Sequence, residues 1–255
     1  MAATRVGLAW TPAVSTSDSF PADLPHSLTD PEIIRAHDWA AFQALDTMRN
    51  HWDRPGWDIG QHYYYWFLTF ANPDLVNLAN YGQQFLKDLP FDPVPLDGLH
   101  LTIARVGSAD EISPKCASEI LAAARRAIFD LVPIQLAIGP LTGSRGAVRF
   151  TVAPWGPLIE IHDRLLGATQ EVLGGSYGHP KGQIRPHVGI AYCNGSTKVK
   201  PIVELLKSGR ERPTVTVEVP AVELVVLCRA VREYRWARYD LLSLGGGGST
   251  LPPSA

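Results

Sequence analysis

Apolar residues fall into short runs separated by turn residues, and the period of each run predicts its element. One apolar run near the start, Val6-Gly7-Leu8-Ala9-Trp10, reads as a strand or docking arm and is followed by polar loop. From Asp30 to about Trp52 the spacing is helical, with Asp30 as N-cap and Pro31 in the first turn. Asp53 to Gly60, rich in Trp and Gly, reads as loop. Tyr63-Tyr64-Tyr65-Trp66-Phe67-Leu68-Thr69-Phe70 is the clearest strand, built from aromatic and β-favouring residues. Further helices are predicted over Pro73 to about Leu89, Ser113 to Leu131, Leu158 to Leu173 and Lys200 to Lys207. Strands are predicted over Leu99–Val106, Ile134–Ile138, Ala147–Val152, His187–Tyr192, Thr214–Val219, Val222–Cys228 and Trp236–Leu242. Pro90–Pro95 reads as a turn and Gly174–Pro186 as a Gly-rich loop that would lid a neighbouring cleft or simply connect, with His179 and Lys181 as its polar members.

Helices and strands therefore interleave in an α+β manner, without the regular alternation of a doubly wound sheet. The expected organisation is an N-terminal arm and helix over 1–52, a two-lobed domain over 53–244, and a flexible Gly/Ser/Pro tail over 245–255 that cannot bury a core.

Composition alters this picture little. At 255 residues, 45% hydrophobic and 19% charged, the chain is ordinary globular material, long enough for a sizeable core. A formal net charge of −2 excludes a protein that coats nucleic acid through a global basic field and favours a small-ligand enzyme with, at most, a local basic pocket. Cys116, Cys193 and Cys228 are far apart and form no CxxC pair, as expected of free thiols in a reducing compartment. No basic stretch leads into a long apolar run, and none approaches the roughly 20 apolar residues of a membrane helix, so a cytoplasmic protein is expected. No HExxH or acidic triad occurs, and neither metal nor cofactor is expected.

The chemistry is carried by two matching windows, His100-Leu101-Thr102-Ile103-Ala104 and His187-Val188-Gly189-Ile190-Ala191. Each follows turn residues and enters an apolar run. In a strand alternate side chains share a face, so His100, Thr102 and Ala104 should point one way, as should His187, Gly189 and Ala191. Two such strands side by side would set two imidazoles on one cleft floor. Imidazole is the side chain that gives or takes a proton near neutrality, and two of them flanking a phosphate can serve as base and acid in one turnover. Thr102 would donate to a phosphate oxygen. Arg185, two residues before His187, would share its face and bind phosphate bidentately, although Pro186 interrupts the strand start. Arg105 and Tyr192, five residues beyond each histidine, fall on the opposite face unless a bulge intervenes. His26, His37, His51, His62 and His162 lack a matched partner and read as core or surface. Of the aromatic strand, one alternate set should face the core and the other be available to stack on a flat ligand.

The paired His-hydrophobic-Thr/Ser-hydrophobic signature, complete in His100-Leu101-Thr102-Ile103, resembles that of the two-histidine phosphoesterase superfamily, which includes 2′-5′ RNA ligase-like proteins and cyclic nucleotide phosphodiesterases. The lead-in Pro95-Leu96-Asp97-Gly98-Leu99, the sequel Arg105-Val106-Gly107 and the upstream Trp52-Asp53-Arg54-Pro55-Gly56-Trp57 add to the likeness, which spans about residues 50–242. It implies a bilobal α+β fold with two pseudo-symmetric sheet-and-helix lobes around a central cleft. It also implies metal-independent hydrolysis or ligation at 2′-linked or 2′,3′-cyclic phosphates, with a small nucleotide or an RNA end as substrate. The second motif departs from the pattern, because Gly189 stands where Thr or Ser is expected and one hydroxyl donor is missing. Two other readings stay open beside the phosphoesterase: the same imidazole pair retuned for acid–base work on a specialised metabolite, and a ligand-binding module without turnover.

Overall fold

A computed structural model describes residues 23–53, 57–174 and 184–245; the Val6–Trp10 run, His179, Lys181 and the tail beyond Gly245 lie outside the described residues. The first helix, α1 (Pro31–Gln43), starts as the sequence dictates: the Asp30 carboxylate accepts the amides of Glu32 and Ile33, and Pro31 occupies the first turn. It stops well before Trp52. The next residues form a short strand, β1 (Thr47–Met48), whose backbone pairs with β8 (Thr197–Lys198), while Asp46 is bound to Lys198 at 2.9 Å. Long-range pairing here overrides helical spacing.

Strand β2 (His62–Thr69) leads into α2 (Pro73–Gln84), capped by Asn72. The helix ends short of Leu89 because Leu86 turns back to the Gln83 carbonyl, and the expected turn after Pro90 contains a small strand, β3 (Phe91–Pro93). Then follow β4 (His100–Ser108), α3 (Pro114–Ala127), β5 (Ile134–Gly143), β6 (Ala147–Ala153), α4 (Gly156–Leu173) and β7 (His187–Cys193). After β8 come α5 (Val199–Gly209), β9 (Val215–Val219), β10 (Ala221–Arg229) and β11 (Tyr234–Ser243). Strand β5 runs past the predicted end at Ile138 because a register shift between Ile138 and Leu141 lets the ladder resume beyond Pro140.

Apart from the β1–β8 pair, the strands form two antiparallel sheets, β11-β10-β2-β4 and β3-β7-β6-β5-β9. The helices are exchanged between them. Helix α2, which follows β2, packs on β7, whereas α4, which follows β6, packs on β4 and against α3. One continuous core therefore holds Trp66, Leu101 and Ile103 from the first sheet with Phe150, Val188 and Ile190 from the second. Burial of that shared core keeps the two sheets together, with β4 and β7 in contact. The antiparallel pair β2–β4, joined through α2, repeats as the pair β6–β7, joined through α4, and this gives the α+β fold its two pseudo-symmetric lobes. Among the described residues no helix is long and apolar enough to cross a membrane.

Candidate active site

The repeat extends to the register. His100 lies opposite Thr69 and Thr102 opposite Phe67; His187 lies opposite Thr151 and Gly189 opposite Arg149. Both ladders then skip one residue, Ile103 in β4 and Ile190 in β7. These matched bulges correct strict alternation. Ala104 and Ala191 turn into the core instead of sharing the histidine face. Arg105 and Tyr192 return to that face and keep partial exposure, as do both histidines, Thr102 and Gly189.

Each imidazole is fixed in the same way. His100 Nδ1 is 2.9 Å from the Gly98 carbonyl and His187 Nδ1 is 2.8 Å from the Arg185 carbonyl. A carbonyl only accepts, so Nδ1 carries the proton and Nε2 the lone pair in both neutral rings. Burial pushes the pKa of His100 down to about 4, partly opposed by its bond to Gly98. His187 is also lowered to about 4, first by burial and then by the charge of Arg149; the Arg185 carbonyl and Asp38 oppose this, and His100 itself contributes to the lowering.

Their surroundings differ. His100 is stacked on Phe67 with ring centroids 4.4 Å apart and meets Trp236 edge-on at 4.8 Å. The same sheet face carries Tyr65, Trp57 and Tyr234. The aromatic strand thus splits as expected: Tyr64 and Trp66 enter the main core, while Tyr63, Tyr65 and Phe67 join the histidine face. Arg105 lies over the Tyr63 ring at 3.9 Å. Around His187 the neighbours are ionic. Arg149, 1% exposed, pairs through both terminal nitrogens with Asp38 of α1, fully buried, at 3.2 and 3.3 Å. Arg185 is drawn to the same carboxylate, with Nη1 3.9 Å from Asp38 Oδ1, and donates to the Asp23 carbonyl. Its guanidinium is therefore buried in an ionic cluster, and its direct link to His187 is the carbonyl that holds Nδ1.

Sequence reasoning missed three members of this neighbourhood. Asp38 and Arg149 carried a signal: Asp38 sits at helical spacing between Ile34 and Phe42 on the buried stripe of α1, and Arg149 interrupts an apolar strand, so each needs a buried partner. The third, His51, is 7% exposed, stacks on Tyr192 with centroids 4.1 Å apart and lies 2.8 Å from the Tyr234 hydroxyl. Nothing local announces it, because Tyr192 and Tyr234 reach it through tertiary packing. The other histidines stand apart: His26 and His62 are exposed, His37 lies beside Asp23, and His162 is buried beside Asp163. A hollow of about 620 Å³ along α3 and α4 contains neither His100 nor His187. Among the described residues no group of three or more His, Cys, Asp or Glu side chains is placed to hold a metal ion.

Solved structures share this architecture. E. coli LigT complexed with 3′-AMP is 14% identical, with a TM-score of 0.54, covering 73% of this chain and 99% of LigT. TT0787 of Thermus thermophilus is 15% identical, with a TM-score of 0.54, covering 74% of this chain and all of that one. E. coli LigT complexed with phosphate gives 15% and 0.51, covering 72% and 98%. At these identities the likeness is one of fold. No curated protein matches the sequence. The profile described as the 2′-5′ RNA ligase superfamily matches residues 79–229, more than half of the chain, from α2 through both histidine strands to the end of β10. This chain belongs to the 2′-5′ RNA ligase superfamily.

Proposed function

We propose that this protein is a metal-independent cytoplasmic phosphoesterase acting on 2′,3′-cyclic phosphates or 2′-5′ phosphodiesters of small nucleotides or RNA ends. The observation that carries the reading is the matched pair of imidazoles, each held at Nδ1 by a carbonyl two residues upstream, on facing strands. With both Nδ1 atoms protonated, chemistry falls to the two Nε2 atoms. One Nε2 takes the proton of an attacking water as its oxygen bonds to phosphorus. The other, as N–H, protonates the ribose oxygen as its bond to phosphorus breaks. That requires one neutral and one protonated ring. Both rings are neutral at pH 7 in the free protein, so a bound phosphate anion supplies the charge that raises one of them.

Thr102 donates to a non-bridging oxygen from the first half-site. In the second, Tyr192 takes the part that Gly189 leaves open: the Tyr192 hydroxyl is 3.8 Å from where a Cβ at position 189 would sit. The half-buried ring of Trp236 beside His100, with Tyr65 and Tyr234 packed on the same Phe67 cluster, provides a surface on which a base can stack. The structures of LigT with 3′-AMP and with phosphate support a nucleotide phosphate as the ligand class. Residues 53–244 are assigned as the catalytic domain, with the preceding arm docking α1 on its second sheet.

The test is conversion of nucleoside 2′,3′-cyclic phosphates to monoesters, and cleavage of 2′-5′ dinucleotides, in EDTA. Turnover of either, lost in His100→Ala and in His187→Ala, is the expected result. No turnover of any of them by the folded protein would overturn the proposal and favour the metabolite-enzyme reading.

A further inference from the structure

A polar hollow of about 460 Å³ opens where α1 meets the β5 bend at Pro140 and the turn between α5 and β9. Its charged lining is Glu32, Arg35, Arg210 and Arg212, three cations against one carboxylate. Glu32 is bound to Arg35 at 2.5 Å. Among the described residues neither Arg210 nor Arg212 has a carboxylate partner. Arg210 lies over the Trp39 ring at 4.0 Å and donates to the Leu141 carbonyl; Arg212 lies over the Tyr81 ring at 4.2 Å. The further carboxylate whose charge acts on Arg210, Asp38, is committed to Arg149. Arg35 Nε is buried without a hydrogen-bond partner. Burial lowers the Arg210 pKa to about 10, and the charge of Arg35 adds to that.

These observations describe two positive charges without a carboxylate of their own in a concave site, Arg210 half-buried and Arg212 exposed at its mouth. A guanidinium resting on an aromatic face uses only its π surface for that contact, which leaves in-plane N–H donors available, all but the one that Arg210 gives to the Leu141 carbonyl. The rings of Trp39 and Tyr81 thus hold Arg210 and Arg212 as fixed donors. A carboxylate would match one such charge, whereas a tetrahedral dianion matches both and can accept from several N–H edges. We propose that this hollow is a second anion site that binds a phosphate dianion, free or as a monoester. The site is separate from the histidine pair and does not depend on the phosphoesterase reading.

Calorimetric titration with inorganic phosphate tests it, using the His100→Ala/His187→Ala protein so that the histidine cleft does not contribute, with chloride at matched ionic strength as the control. One phosphate per chain is expected, and Arg212→Gln in that background should weaken it by roughly tenfold or more, the effect of losing one charge-assisted donor. Among the described residues Arg212 makes only its ring contact with Tyr81, so this substitution should leave the thermal midpoint in phosphate-free buffer nearly unchanged. Should the histidine variant fail to fold, the Nε–Hε resonances of Arg35 and Arg212 in the unaltered protein provide the same reading, both shifting on phosphate addition but not with chloride. Absence of binding, binding indifferent to Arg212→Gln, or unmoved resonances would leave only solvated arginines and overturn the proposal.

Discussion

If Tyr192 serves in place of the hydroxyl that Gly189 lacks, the two positions must be coupled, and the coupling has a predictable size. Tyr192→Phe removes one oxygen and keeps the ring, so the stack on His51 at 4.1 Å is preserved. A hydrogen bond to a charged acceptor contributes about 1.5–3 kcal/mol, so kcat/KM on a cyclic phosphate should fall roughly ten- to a hundredfold. Gly189→Ser can then supply a hydroxyl from the strand itself. The backbone allows it, because Gly189 is not among the glycines at positive φ. Space allows it too, since an added Cβ meets nothing nearer than the Tyr192 hydroxyl at 3.8 Å. In wild-type protein the serine should gain little, because the phosphate already has a donor there. In the Tyr192→Phe background it should restore most of the lost rate. The assay is steady-state hydrolysis of a nucleoside 2′,3′-cyclic phosphate by the four proteins of the cycle, each checked for an unchanged thermal midpoint. Additive effects, or a Tyr192→Phe enzyme within twofold of wild type, would refute the substitution of one hydroxyl by the other.

Three further outcomes follow from the same geometry. EDTA should leave cyclic phosphate hydrolysis unchanged; loss on chelation with recovery on adding zinc or manganese would reveal a metal site. Asp38→Ala should lower stability by about 3–5 kcal/mol, because Arg149 is left buried without its carboxylate, and the midpoint of urea unfolding reads this directly. Acid should destabilise the protein through the histidine pair: both folded pKa values lie near 4, below the unfolded 6.5, so their contribution is present above 6.5 and lost as pH falls towards 4. Each ring contributes at most about 3 kcal/mol before discounting for its partial exposure, and a His100→Gln/His187→Gln protein should show a shallower loss between pH 7 and pH 4.5.

The sequence made the histidine strands legible because strand periodicity and a repeated motif are local properties. His100 shares a face of β4 with Thr102, and His187 shares a face of β7 with Gly189, as alternation requires. What alternation cannot reveal is a bulge, since the extra residue is defined by the partner strand. Alternation therefore puts Ala104 on the cleft and Arg105 and Tyr192 behind it, and the skipped Ile103 and Ile190 reverse both expectations. Helix ends fail for a related reason. Apolar spacing runs through Leu45 and Met48, but the backbone of Thr47 and Met48 finds its partners in β8, far along the chain. Arg185 is readable as a neighbour of His187 but not as a partner of Asp38, because that carboxylate arrives on α1 from outside the repeated strand pairs.

The repeat also explains why the two histidines should not be equivalent. Matching backbone paths and equivalent Nδ1 bonds hold the two rings alike, so a difference in proton affinity must come from what faces them. Across the ladder from Thr102 stands Phe67, and its ring stacks on His100; with Trp236 it offers an aromatic surface on which an imidazolium is tolerated. Across from Gly189 stands Arg149, and its positive charge opposes protonation of His187. A phosphate anion between the two would therefore raise the first ring more readily than the second. If the proposed hydrolysis holds, His100 would be the ring that protonates the departing ribose oxygen, and His187 the one that takes the proton of water. Replacing Arg149, Asp38 and Arg185 together by Met, Leu and Met removes the ionic asymmetry without leaving a lone buried charge, and keeps the position 185 carbonyl that holds His187. In the pH dependence of kcat, the limb set by the basic histidine should then move to higher pH, while the limb set by the acidic one stays in place. Equal movement of both limbs would show that the ion pair acts on the site as a whole and assigns no roles.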